Sequence, residues 1–152
     1  YCFGMLSPRQ SKAAYRITEG EYVVVDLKSA QKVVIPNDGW HPFFSPDDQY
    51  FSVGGEFYLT QTGEETDNPF PFAVRQGLSF SDTCTVRTRG SLMAIQQERG
   101  SSPIELWDAR SGQMLASIND PFVVRQTNFA FTKSRLVLHT DYGAMSIYRC
   151  AL

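Results

Sequence analysis

Residues 44–60 read FSPDDQYFSVGGEFYLT. Pro46 fixes φ for a reversal, Asp47 and Asp48 are the short polar side chains that reversals accept, and Tyr50 to Val53 is a short run rich in strand formers. Gly54-Gly55 then supplies the positive φ values of a two-residue hairpin turn, and Glu56 to Thr60 returns the chain antiparallel. This stretch therefore encodes turn, strand, turn and strand.

The same order recurs on both sides of it. Upstream, Leu6-Ser7-Pro8 opens a copy with strands at Ala13 to Ile17, Tyr22 to Leu27 and Lys32 to Ile35, and a turn at Glu19-Gly20; Ser7 and Ser45 stand 38 positions apart. Downstream, Phe131-Thr132-Lys133-Ser134 leads into RLVLHT, a turn at Asp141 and Gly143, and AMSIYRC. A third copy holds SLMAIQQE, a turn at Arg99 to Ser102, PIELWDA, the turn Ser111-Gly112, and MLASI. Its first strand is either Gly77 to Ser81 or Thr83 to Arg87, and the spacing to Trp107 favours the second. The polar segment Gln61 to Asn68 closes the second copy.

Helical periodicity is nearly absent, since no window of a dozen residues keeps apolar side chains at i, i+3, i+4 and i+7 without interruption. The expected fold is all-β: a β-propeller segment of about four blades with up to four antiparallel strands each, at the period of about 40 residues that blades show. The approximate blades are 1–38, 39–76, 77–122 and 123–152, together one partial propeller domain. A lone blade cannot bury both faces, and radial stacking covers them with the neighbours' apolar side chains. A row of four cut from a larger ring leaves two exposed edges. We therefore expect the remaining blades in the same polypeptide or in a companion chain; 152 residues is short for a closed four-bladed disc.

Ile104-Glu105-Leu106-Trp107-Asp108-Ala109-Arg110-Ser111-Gly112-Gln113-Met114-Leu115 resembles the third strand, turn and outer strand of a WD-repeat blade. Asp26-Leu27-Lys28-Ser29 occupies the corresponding place in the first unit, and Tyr148 takes the Trp position in the fourth. Phe44-Ser45-Pro46-Asp47 resembles that family's turn between first and second strands, and Thr140-Asp141-Tyr142-Gly143 its turn before the third. No Gly-His pair precedes any unit and His41 lies too close to Phe44, so the family's network of Asp, His, Ser/Thr and Trp is incomplete here. The resemblance implies a divergent propeller of WD-repeat type.

Hydrophobic residues at 42%, charged residues at 20% and a net charge of -2 describe an ordinary globular chain. Such a balance offers no basic field to hold a nucleic-acid backbone or an anionic membrane, so neither is an expected partner. The apolar runs are far shorter than a membrane-spanning helix. Cys2, Cys84 and Cys150 are scattered, His41 and His139 lack zinc-site spacing, and no metal or cofactor is expected. These features point to structural thiols and an intracellular location. The start at Tyr1, inside YCFGML, reads as a segment of something longer.

Catalytic signatures are equally sparse. Gly77-Leu78-Ser79-Phe80-Ser81 lacks the second glycine and the following helix of a nucleophile elbow, and reads as a strand. His139 and Asp141 read as a strand residue and a turn cap. Asp47-Asp48 and Glu64-Glu65 read as solvated turn acids, and Gly54-Gly55 joins two strands instead of opening a phosphate loop. Arginine outnumbers lysine by ten to four, and Arg75, Arg99 and Arg125, in or beside connections, are candidate partner contacts because their planar forks suit interfaces. Phe70 and Phe72, within Asn68-Pro69-Phe70-Pro71-Phe72, join them as a stiff apolar loop, with packing between blades as the competing use. The expectation is a scaffold that binds a protein or peptide, with no catalysis of its own. The alternative is the propeller portion of a larger enzyme of hydrolase type whose active site lies elsewhere.

Overall fold

The computed structural model describes residues 4–18, 20–81, 84–98, 102–119, 127–132, 135–140 and 145–149. The chain is all-β, with four small antiparallel sheets arranged as the blades of a propeller. Blade 1 holds β1 (Gly4–Leu6), β2 (Lys12–Thr18), β3 (Glu21–Asp26) and β4 (Lys32–Pro36); blade 2 holds β5 (Phe43–Phe44), β6 (Tyr50–Val53), β7 (Glu56–Leu59) and β8 (Glu65–Thr66). Blade 3 holds β9 (Thr85–Arg89), β10 (Leu92–Gln96), β11 (Ile104–Asp108) and β12 (Gln113–Ile118). In blade 4 the described strands are β13 (Thr127–Phe131), β14 (Arg135–Thr140) and β15 (Met145–Arg149). Strands follow one another in chain order within each sheet. β9 lies beside both β5 and β13, as the innermost strands of neighbouring blades do around an axis.

The first turns of blades 1 and 2 are one structure built twice. Ser7 and Ser45 each donate the backbone N–H to the carbonyl of the residue five positions on, and each hydroxyl accepts that residue's N–H in return, from Lys12 at 3.0 Å and Tyr50 at 2.9 Å. Three residues after each serine the chain takes positive φ, 57° at Gln10 and 63° at Asp48. The turns after β3 and β11 match in the same way. Asp26 accepts hydrogen bonds from the backbone N–H groups of Ser29 and Lys28 and from the Ser29 hydroxyl, while Asp108 accepts from the Ser111 hydroxyl and the Arg110 N–H. The bond from the Ser29 N–H, with Lys12 behind it, holds the Asp26 carboxyl well below the usual carboxylate range, and the Ser111 hydroxyl shifts Asp108 in the same direction.

Two segments differ from the sequence reading. A helix, α1 (Pro71–Gln76), stands between blades 2 and 3, and residues 77–81 expected as a strand are irregular. Pro71 opens α1 at its first turn, and the chain leaves it through Gly77 at φ 66°, with Gly77 and Leu78 N–H groups bonding the carbonyls of Val74 and Ala73. That is a Schellman cap. Six residues are too few to display a helical period, so only the Pro and Gly punctuation could have signalled it. β9 begins at Thr85, which makes the second of the two possible openings of the third unit the observed one. The turns expected at Arg99 and at Asp141 to Gly143 lie outside the described residues.

Three apolar seams join the blades. Ala14, Tyr22, Val24 and Ile35 of blade 1 pack on Phe44, Phe51, Val53 and Tyr58 of blade 2. Phe43 and Phe57 of blade 2, with Phe70, Phe72 and Phe80 of the connection, pack on Val86, Met93, Ile95 and Trp107 of blade 3. Leu92, Ala94, Ile104 and Leu106 of blade 3 pack on Phe129, Leu136 and Leu138 of blade 4. Alternation along each strand sends one set of side chains to the preceding blade and the next set to the following one.

Register makes the equivalence explicit. The second residue of each second strand pairs with Val25, Tyr58, Trp107 or Tyr148, and in blades 2, 3 and 4 that partner packs towards the preceding blade. The next register position pairs with Val24, Phe57, Leu106 or Ile147, and in blades 1, 2 and 3 it packs towards the following blade.

Blades 1 and 2 also meet through backbone. Gly39, in the connection between β4 and β5, receives the Tyr22 hydroxyl on its carbonyl and donates its N–H to Asn37 Oδ1. A methyl group there would overlap the Cα of Gly54 and lie 2.6 Å from its nitrogen. Backbone cannot swing aside as a side chain can. Gly39→Ala is expected to destabilise the protein by about 1–3 kcal/mol through overpacking, seen as a lower urea midpoint; an unchanged midpoint would contradict the close approach.

Candidate functional site

The turns after the first and third strands share one end of the propeller, and two adjoining clefts open there. The larger, about 580 Å³, lies between blades 1 and 2 and is walled by Lys12, Asp26, Gln31, Asp47, Gln49 and Thr60, among others. The smaller, about 150 Å³, lies towards blade 3 and is walled by Arg9, Asp47, Tyr50, Phe70 and Arg110 with Pro46. Asp47 belongs to both walls.

Local chemistry places these groups. Asp47 Oδ1 accepts from the Ser45 hydroxyl at 2.6 Å and the Gln49 N–H at 3.1 Å, which pins the carboxylate at the turn. Lys12 Nζ sits 3.1 Å from Asp26 Oδ2 in an ion pair. Arg9 and Arg110 are exposed guanidinium groups on the turns of blades 1 and 3, and neither is ion-paired among the described residues. Phe70 lines the same cleft, so the smaller cleft pairs an aromatic surface with two cations.

Beneath these clefts Asp48 fastens blade 2 to blade 1. Its carboxylate accepts from the hydroxyls of Ser7 and Ser11, each at 2.6 Å, and from the Arg9 N–H at 3.2 Å. The Thr60 hydroxyl donates to its carbonyl at 2.8 Å. The solvated-acid reading is corrected here: Asp47 is partly exposed, but Asp48 is 2% exposed and buried between blades. Positive φ at Asp48 turns its side chain inwards to the neighbouring blade, a direction that the dipeptide alone does not reveal.

The sequence-derived contact residues separate. Phe70 and Phe72 are buried, and their rings form part of the second seam; Phe72 stacks on Trp107 with centroids 5.1 Å apart. They do not form a free apolar loop, although Phe70 also reaches the smaller cleft. Arg75 is exposed on α1, outside both clefts. Arg99 and Arg125 lie outside the described residues. Arg9 and Arg110 were absent from the expected contacts; the signal that could have found them is their shared placement in first and third turns, Arg9 after Ser7-Pro8 and Arg110 after Asp108.

No nucleophile stands out at either cleft. Burial pushes the Cys84 thiol up to about 12, which keeps it neutral, and it lies on the seam between blades 2 and 3. Ser79 lies in the irregular segment after α1, where its N–H donates to Gln97 Oε1. Among the described residues no group of three His, Cys, Asp or Glu could hold a metal, and no helix is long and apolar enough to cross a membrane.

Comparison with solved structures now adds to this geometry. The chain is similar to the computationally designed Ika4 protein, with a TM-score of 0.55 and 14% identity over 93% of this chain and 86% of that one. It is similar also to the computationally designed Ika8 protein, with a TM-score of 0.55 and 14% identity over 91% of this chain and 43% of that one. The likeness is one of fold alone. The chain thus spans less than half the length of Ika8. No protein-family model and no curated protein matches it.

Proposed function

We propose that this chain is a propeller platform of WD-repeat type, without catalysis of its own, that binds an extended acidic peptide carrying an aromatic anchor. The observation that supports the reading is the smaller cleft, where the exposed side chains of Arg9 and Arg110 share a wall with Tyr50 and Phe70, beside a longer polar cleft on the same end. A peptide laid across blades 1, 2 and 3 would place an aromatic side chain beside Tyr50 and Phe70, with flanking carboxylates near Arg9 and Arg110. Its backbone would meet the side-chain donors and acceptors of Gln31, Gln49 and Thr60. Arginine forks suit carboxylates, and an anchor in a rimmed pocket concentrates binding energy in few contacts. The WD-repeat assignment draws on the matching Asp26 and Asp108 turns and on Trp107.

The test is a fluorescence titration with a blocked Glu-Phe-Glu peptide flanked by glycines. Arg9→Glu with Arg110→Glu is expected to weaken binding at least about tenfold, since each lost charge-assisted contact contributes about 1.5–3 kcal/mol. Lys28→Glu, on the exposed turn beside Asp26 but lining neither cleft, should weaken binding less than the arginine pair does. Absence of binding at millimolar peptide, or equal loss in both variants, would reject the site.

A further inference from the structure

We infer that the bound peptide ends at its anchor: a C-terminal phenylalanine or tyrosine seats its ring in the smaller cleft and gives its free α-carboxylate to Arg110. This rests on the smaller cleft being a peptide's anchor site, and it fixes the end and the direction of the chain that enters.

Size and lining set the anchor. At about 150 Å³ the cleft has room for one six-membered aromatic ring, since an apolar cavity of about that volume takes up benzene. Phe70, on its wall, is 7% exposed, and Pro46, Tyr50 and Pro69 add apolar surface, whereas Arg9 and Arg110 are exposed. Burial therefore orders the cleft in depth, with the aromatic surface at the floor and the two cations at the mouth. One methylene separates the ring of an aromatic residue from its Cα, so a seated anchor leaves its own backbone groups at the mouth. Inside a chain those groups are neutral amides. At a C-terminus one of them is a carboxylate, which gives a guanidinium at the mouth a charge to pair with on the anchor residue itself.

Direction follows from which blades wall which cleft. Blades 1 and 2 wall the larger cleft, and Asp47 is common to both clefts. Arg9 stands on the first turn of blade 1, whereas Arg110 follows β11 in blade 3, which contributes nothing to the larger cleft's wall. A chain laid in the larger cleft thus passes Asp47 and Arg9 before the anchor pocket, and Arg110 lies beyond. The acidic residue before the anchor falls to Arg9 and the terminal carboxylate to Arg110. Oδ1 of Asp47 takes the two turn bonds from Ser45 and Gln49, and Oδ2 is then the acceptor for the anchor's N–H. Both arginines sit on pinned turns, with the Arg9 N–H donating to Asp48 and the Arg110 N–H to Asp108.

The test is a fluorescence titration with acetyl-Gly-Gly-Glu-Phe as the free acid, as its C-terminal amide, and extended by Gly-Gly amide. The free acid is expected to bind about tenfold tighter than either of the others, the difference one charge-assisted contact makes. Arg110→Gln should abolish that preference, while Arg9→Gln should weaken acid and amide alike and preserve it, both with unchanged melting temperatures because the side chains are exposed. Equal binding of the three peptides, or a preference that survives Arg110→Gln, would overturn the C-terminal anchor and leave the acidic-peptide site standing. A free acid that binds where the internal Glu-Phe-Glu peptide does not would support the C-terminal anchor and reject the internal one. No binding by any of them at millimolar concentration would overturn both.

Discussion

Trp107→Ala is expected to destabilise the protein by roughly 3–5 kcal/mol, as removal of a buried aromatic does. Trp107 is 5% exposed and stacks on Phe72 at an interplanar angle of 24°, where the connection between blades 2 and 3 meets β11. Its indole N–H donates to Glu105 Oε2 at 3.0 Å. Alanine removes the ring from a seam whose remaining members, Phe57, Phe70 and Phe80, are already engaged with one another and cannot fill the space without losing those contacts. For a chain of this length the change corresponds to a melting temperature lower by roughly 10 °C. Circular dichroism melts would read it, with Trp40→Ala as the control. Trp40 is 63% exposed and should shift the melt little. Trp107→Phe should fall between, because it retains an aromatic face for Phe72 but loses the N–H and part of the ring volume. Equal melts for wild type and Trp107→Ala would contradict the seam between blades 2 and 3.

Asp48→Ala is expected to cost roughly 3–4 kcal/mol, from two separate causes. The first is the loss of an ionised acceptor for three donors, leaving the buried Ser7 hydroxyl without its partner. The second is the φ of 63°, which aspartate and asparagine tolerate better than alanine. Substitution separates the two. Asp48→Gly relieves the backbone and keeps the hydrogen-bond loss, while Asp48→Asn keeps an acceptor and tolerates the turn. Stability by urea denaturation should therefore rank wild type above Asn, Asn above Gly, and Gly above Ala. Alanine and glycine giving equal midpoints would remove the backbone cause, and an alanine variant as stable as wild type would remove both. Faster hydrogen exchange in β1, β2 and β6 should accompany the loss, since the carboxylate ties those turns together.

The hairpins were legible because their determinants are local. Pro46, the paired Gly54-Gly55, Ser7 with Lys12 and Ser45 with Tyr50 act within five positions, so residue type and spacing carry the turn. The repeat was legible for the same reason. α1 escaped because its one and a half turns show no period, and because its buried Phe72 and Ala73 are held by packing more than by helix propensity. The clefts escaped because Arg9, Asp47, Tyr50 and Arg110 come from three blades.

By itself the sequence determined that this protein is a succession of small antiparallel sheets, since backbone preference and alternation act between near neighbours. Only the tertiary structure decided that Asp48 is buried where Asp47 is open, and that Phe70 and Phe72 belong to a seam. A period of two marks both faces of a strand as apolar or polar; it does not say what lies opposite. That depends on blades whose residues stand tens of positions apart, and contacts of that kind exist only once the blades have stacked on one another.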